Sequence, residues 1–257
     1  MNRYFDAFAY PLRRQNLGVM LVGVFFLALG PTLISWIIPR QHMTGSALAF
    51  GLHFLILAYY AVFLQSILHA SMEGRDDFPL WPELSHPTDL VEEFLSIVAP
   101  FVVSFLPLIV LRASVAGFSA LQSMGFIFKS AVPSALAGAS PGVQILSVVF
   151  LIVGWLYLPM AILVWSFYGG WSIFNPIAVV RTAWRTGPSY LLIVVLVAAM
   201  VIGAWAVSLI PGEYITPFAA SLLTFYALVV AMRLLGTHYR LHREKLGWDD
   251  RRAPEPV

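Results

Sequence analysis

VQILSVVFLIVGWLYLPMAILVWSF, residues 143–167, runs for 25 residues without an Asp, Glu, Lys or Arg. As an α-helix it would reach about 37 Å, which exceeds the hydrocarbon thickness of a bilayer, roughly 30 Å. Its apolar residues cover every side of the helix, so it has no water-facing stripe. The segment therefore predicts a membrane span.

The same pattern recurs along the chain. Charge is absent from Gln15 to Pro39, Gln41 to Met72, Phe94 to Leu111, Ser130 to Val180, Thr186 to Gly212 and Tyr214 to Met232. Each gap holds one span, placed at Leu17–Ile38, Ser46–Leu68, Phe94–Leu111, Val143–Phe167, Ser189–Ile210 and Ile215–Leu235. The expected fold class is an all-α integral membrane protein, a bundle of about six transmembrane helices with short interfacial helices. Residues 1–236 form one polytopic domain and 237–257 a basic cytoplasmic tail. Composition agrees, since 11% of the 257 residues are charged against about 25% in soluble domains.

Several function classes fall away early. The chain has no cysteine, which removes disulfides, thiolate metal sites and thiol catalysis. The pI is near 9.0, but net charge is only +2 and the basic residues cluster at span edges, so the basicity marks topology rather than nucleic-acid binding. The first apolar run, Leu17–Ile38, is longer than the core of a cleaved signal peptide.

Positive charge sets orientation. With six spans and a cytoplasmic N-terminus, the inner side holds Arg3, Arg13, Arg14, Arg75, Arg181, Arg185, Arg233, Arg240, Arg243, Lys245, Arg251 and Arg252, that is 12, against Arg40, Arg112 and Lys129 outside, that is 3. A seventh span within Arg112–Gly142 would invert the second half, leaving 5 inside (Arg3, Arg13, Arg14, Arg75 and Lys129) and 10 outside. The first arrangement obeys the positive-inside rule, so Arg112–Gly142 is expected to be interfacial or re-entrant on the outer side. Both termini are then cytoplasmic and the protein is multi-pass in a cell (plasma or inner) membrane. Single cysteines at Gly138 or Gly212 should react with an impermeant thiol reagent in intact cells, and those at Ser85 or Ala253 should not. Labelling confined to Ser85 and Ala253 would reverse the orientation.

Short helices are expected between spans. Asn175-Pro176 pairs an N-cap residue with proline at the first helical position. Ile177, Val180 and Trp184 then share a face with Arg181 and Arg185 beside it, the pattern of a helix lying in the interface. Asp89 with Glu92 predicts a similar short helix before span three.

Phe8-Ala9-Tyr10-Pro11-Leu12 precedes span one, Gly74 is followed by Phe78-Pro79-Leu80-Trp81-Pro82-Glu83-Leu84, and Phe105-Leu106-Pro107 lies in span three. In these features the chain resembles a prokaryotic family of multi-spanning membrane proteins classed as a domain of unknown function. That family has a Tyr-Pro pair ahead of span one, a Gly, and a Leu-Pro-x-Trp-x-Asp loop. Phe78 and Glu83 depart from its pattern, and a Gly common at the start of the next helix is absent. The resemblance implies architecture and no activity.

The polar residues offer few sites. His69 and Glu73, like His238 and His242, are four apart on one helix face, a spacing that suits a metal; polar residues also gather wherever a chain leaves the bilayer. His53 and Gln65 lie within span two, where polar groups face protein or a water-filled cavity; a hydrogen bond to a neighbouring helix accounts for them equally well. Pro100 and Pro107 sit two turns apart in span three and interrupt its hydrogen bonds. Ala199 and Gly203 form a small-residue pair suited to close packing inside the bundle. The loop residues Asp76, Asp77, Phe78, Pro79 and Trp81 combine acids with an apolar core and form the expected partner-contact surface, for a membrane or cytoplasmic protein. Arg240, Arg243 and Lys245 are expected to meet anionic lipid headgroups.

No nucleophile or phosphate-loop motif is present and no cofactor is implied. The expectation is a non-enzymatic scaffold or accessory subunit of a membrane assembly. The alternative is a facilitator of a small or lipidic solute, working through the proline-broken helices.

Overall fold

The computed structural model describes residues 2–37, 43–79, 87–116, 140–208 and 215–246. Every regular element among them is helical. In chain order these are α1 (Asn2–Ala9), a 3-10 turn at Tyr10–Leu12, α2 (Leu17–Ile37), α3 (Met43–Met72) and α4 (Pro87–Ala116). Then come α5 (Pro141–Tyr168), a 3-10 turn at Gly170–Phe174, α6 (Pro176–Thr186), α7 (Pro188–Ser208) and α8 (Ile215–Leu246). Among the described residues, 4 helices are long and apolar enough to cross a membrane, or 6 if each of two bent pairs counts as one span. The chain is an all-α membrane protein.

Two pairs of consecutive helices are sharply bent at their junctions. Tyr4–Leu12 meets the following Leu17–Gly30 at 77°, and Pro176–Thr186 meets Pro188–Ala204 at 104°. In the second pair Asn175 caps α6, its Oδ1 accepting from the Ala178 N–H at 3.1 Å. Pro176 occupies the first helical position, as the sequence required. Ile177, Val180 and Trp184 are exposed, Trp184 by 85%. An exposed apolar face that none of the described residues covers suits an interfacial helix. Gly187, at φ +65°, makes the turn into α7.

Two compact units make up the chain, residues 1–94 with 181–257, and residues 95–180. In the first, α8 packs against α1, α2, α3 and α7. Tyr60 of α3 donates its hydroxyl to the Gly23 carbonyl of α2, and its ring meets Phe225 of α8 edge-on at 5.5 Å. A Cβ on Gly23 would strike the Phe225 ring. Phe63 stacks on the same ring at 6.0 Å. In the second unit Phe105 is fully buried and meets Trp155 edge-on at 6.0 Å. Gly154 lets α5 come close, since a Cβ there would lie 2.9 Å from the Ser104 carbonyl oxygen.

Three expectations change. The interfacial helix foreseen at Asp89 is continuous with span three, because α4 runs unbroken from Pro87 to Ala116 through both Pro100 and Pro107. The domain boundary expected after residue 236 falls inside a helix, since α8 continues to Leu246, and Gly236 seats α8 on α3. Residues 237–246 continue that helix, with Thr237, His238 and Tyr239 buried. Ala199 and Gly203 face outward, and a Cβ on Gly203 would meet nothing within 4 Å. Residues 117–139, expected to be interfacial, lie outside the described set.

Candidate functional site at the polar end of the first unit

The end of α3 fixes the start of the site. Gly74 adopts φ +80°. Its N–H donates to the Ser71 carbonyl at 3.2 Å, and that of Arg75 to Ala70 at 2.8 Å. This pair of bonds, with a left-handed residue between them, is the Schellman stop of a helix. Gly74 has a second role, because a Cβ on it would lie 2.5 Å from Nη1 of Arg240. Gly74→Ala combines left-handed strain of about 1–2 kcal/mol with that collision. It should lower the unfolding temperature in detergent, and a Gly74→Ala protein as stable as wild type would remove Gly74 from both roles.

Past that stop the chain is held by Arg233 of α8. Its side chain is 7% exposed. Nη1 donates to the Arg75 carbonyl at 2.6 Å and to the Ser71 hydroxyl at 3.2 Å, and Nη2 donates to the Asp76 carboxylate. The guanidinium carbon stands 4.4 Å from the centre of the Tyr10 ring, a cation–π distance. Tyr10 in turn donates its hydroxyl to the Asp77 carbonyl at 3.0 Å. Tyr10 precedes the first span, and burial pushes its hydroxyl up to about 12, with Arg233 and Arg13 pulling the other way. It therefore stays a protonated donor at neutral pH.

Phe78 completes the attachment. Its ring lies 5.1 Å from Tyr10 and 5.6 Å from Phe63, so the loop turns an aromatic group into the bundle. The two acids of the loop have different roles. The Asp76 side chain, although 69% exposed, is bound by Arg233, whereas Asp77 is exposed and contributes its backbone carbonyl. Trp81 lies outside the described residues.

α1 closes the same end of the unit. The Tyr226 hydroxyl donates to the Phe8 carbonyl at 2.8 Å, and Tyr4 Oη lies 3.2 Å from His238 Nδ1. A cleft of about 440 Å³ remains, lined by Asp6, Arg13, Asp76, Arg233, Thr237 and Arg240.

The paired histidines are engaged with protein. The His238 and His242 rings lie 4.4 Å apart, and His242 Nε2 is 3.0 Å from the Ser189 hydroxyl. His69, Glu73, His238 and His242 are not brought together, and no group of three or more metal-ligating side chains occurs among the described residues. His53 is half-buried and Gln65 buried, and each interacts with a neighbour. The three cations expected to meet lipid also part company. Arg243 and Lys245 are exposed, while Arg240 turns into the cleft. Arg185 donates to the Leu246 carbonyl at 3.3 Å, closing the end of α8 with a cation where the helix dipole favours one.

The sequence reading passed over Tyr10 and Arg233 as site residues. For Arg233 a signal existed, an ionisable group only two residues inside the predicted end of a span, where such groups need a partner. Comparison with family models, curated proteins and solved structures finds no match to the chain.

Proposed function

We propose that this chain is a non-enzymatic scaffold or accessory subunit of a cell-membrane assembly. In this reading both termini are cytoplasmic and the segment after α3 presents the docking surface. The prokaryotic family resembled by residues 8–12, 74–84 and 105–107 belongs to the same proposal. The observation that carries it is the attachment of residues 75–78 to the bundle by Arg233, Tyr10 and Phe78. A connector needs no such attachment. Holding a short loop at several points keeps Asp77 and Glu73 exposed in fixed positions, Glu73 paired with the equally exposed Arg75 at 2.7 Å, and pre-positioned charge gives a partner specificity at little ordering cost. Exposed Arg243 and Lys245 would add attraction to an anionic leaflet.

A photo-crosslinking residue at position 77, used in native membranes, tests the reading. The expected result is one discrete crosslinked protein, lost when Glu73 is changed to Gln and kept when Ile145 of the second unit is changed to Ala. Charge reversal is unsuited here, because Asp76→Lys would face Arg233 and Glu73→Lys would face Arg75. Crosslinking only to lipid, or to a smear unaffected by Glu73→Gln, would overturn the docking surface.

A further inference from the structure

The charges lining the cleft do not cancel. Arg233 and Asp76 pair with each other. Among the described residues neither Arg13 nor Arg240 pairs with a carboxylate, and Asp6 has no cationic partner. Among the described residues, two guanidinium groups and one carboxylate thus line one cleft with no protein ion paired to them.

The two arginines are also held for the task. Arg13 stands 5.9 Å from the centre of the Tyr10 ring. Arg240 occupies the space that the missing side chain of Gly74 leaves. Its Nε is buried without a hydrogen-bond acceptor. A buried donor without a partner is uncommon in folded proteins and points to a missing acceptor. Guanidinium groups match the oxygens of a phosphate in geometry and charge. A ligand with phosphate alone would leave Asp6 facing an anion.

The exposed apolar side chains beside the cleft agree. Phe5 and Leu12, which flank Asp6 and Arg13 along the chain, are 62% and 60% exposed, and α1 is bent 77° from the span it precedes. Apolar side chains uncovered beside a polar cleft are expected at the level of lipid headgroups.

We propose that this cleft binds a phosphate carrying an amine, the phosphoethanolamine group, with Arg13 and Arg240 on the phosphate and Asp6 on the ammonium. The inference does not rest on the docking surface, since Glu73 and Asp77 take no part in it, although Asp76 and Arg233, which hold the loop, also line the cleft. The group can come from a membrane aminophospholipid or from a soluble phosphoethanolamine, and the chemistry of recognition is the same.

Native mass spectrometry of the detergent-solubilised full chain tests it, with phosphatidylethanolamine, phosphatidylglycerol and phosphatidylcholine as lipid probes. Wild type should retain phosphatidylethanolamine over the other two. Arg13→Gln and Arg240→Gln should each weaken that retention about tenfold, the loss expected for one charge-assisted contact. Asp6→Asn should abolish the preference over phosphatidylglycerol while leaving lipid binding, and because Asp6 is exposed this variant also guards against misfolding of the arginine variants. A parallel titration with free phosphoethanolamine separates the sources: displacement of the lipid means the headgroup alone suffices, and no displacement means the lipid is required. Equal retention of the three lipids by wild type, or a preference unchanged in Asp6→Asn, would overturn the assignment.

Discussion

Gly236→Val should be among the most damaging single changes to the first unit, lowering stability by about 3 kcal/mol. Gly236 is where α8 crosses α3. A Cβ there would strike the Ser71 side chain and lie 2.7 Å from the Leu68 carbonyl oxygen and 3.0 Å from the Met72 amide nitrogen. Two of these neighbours are backbone, which cannot turn aside as a flexible side chain can. The helices would have to separate, and Arg233, one turn away, would lose its reach to Ser71 and Arg75. Gly203→Ala is the matched control. Its Cβ would meet nothing within 4 Å, and replacing glycine in a helix interior gains up to about 1 kcal/mol. Thermal unfolding in detergent should order the proteins Gly203→Ala, wild type, Gly236→Val, from most to least stable. Equal midpoints for wild type and Gly236→Val would show that the α3–α8 crossing is looser than described.

Arg233→Leu should produce the second large loss, about 2–3 kcal/mol. Leucine keeps much of the apolar contact of the arginine stem but leaves the Arg75 carbonyl and the Ser71 hydroxyl without their donor. The ion pair itself accounts for the smaller part. The Asp76 side chain is 69% exposed, so water replaces its lost partner, and exposed pairs contribute at most about 1 kcal/mol. Asp76→Asn should therefore cost much less than Arg233→Leu. Similar losses for the two variants would mean that the carboxylate, rather than the backbone carbonyl, is the main partner.

Much of the fold could be read from the sequence because the signals were local. Each predicted span falls on a helix, although α4 begins earlier, at Pro87, and α8 ends later, at Leu246, and Asn175-Pro176 locates the start of α6. The exposed face of α6 follows directly from the spacing of Ile177, Val180 and Trp184. Less legible were features whose cause lies in another part of the chain. Gly236 falls just past the expected end of span six, and only the nearness of Leu68 and Ser71 reveals it as a packing contact. The order expected of the loop rests on Phe78, Leu80 and Trp81, of which the structure describes Phe78. The anchors of residues 75–78 were not legible, because Tyr10 and Asp77 are 67 positions apart and Arg233 and Asp76 are 157 apart. No periodicity links residues at such separations. Arg240 was grouped with Arg243 and Lys245 by sequence, but its side chain lines the cleft while theirs are exposed.

The central claim is that residues 73–78 form a fixed surface anchored by Arg233 and Tyr10. Hydrogen exchange of those residues in the full chain, reconstituted in lipid nanodiscs, tests it most directly. The account predicts slow exchange at the Arg75 amide, which is bonded to Ala70, and faster exchange across residues 75–78 in Arg233→Leu, with the middle of α3 unchanged. Exchange at the rate of an unstructured peptide in the wild-type protein, unaffected by Arg233→Leu, would contradict the claim.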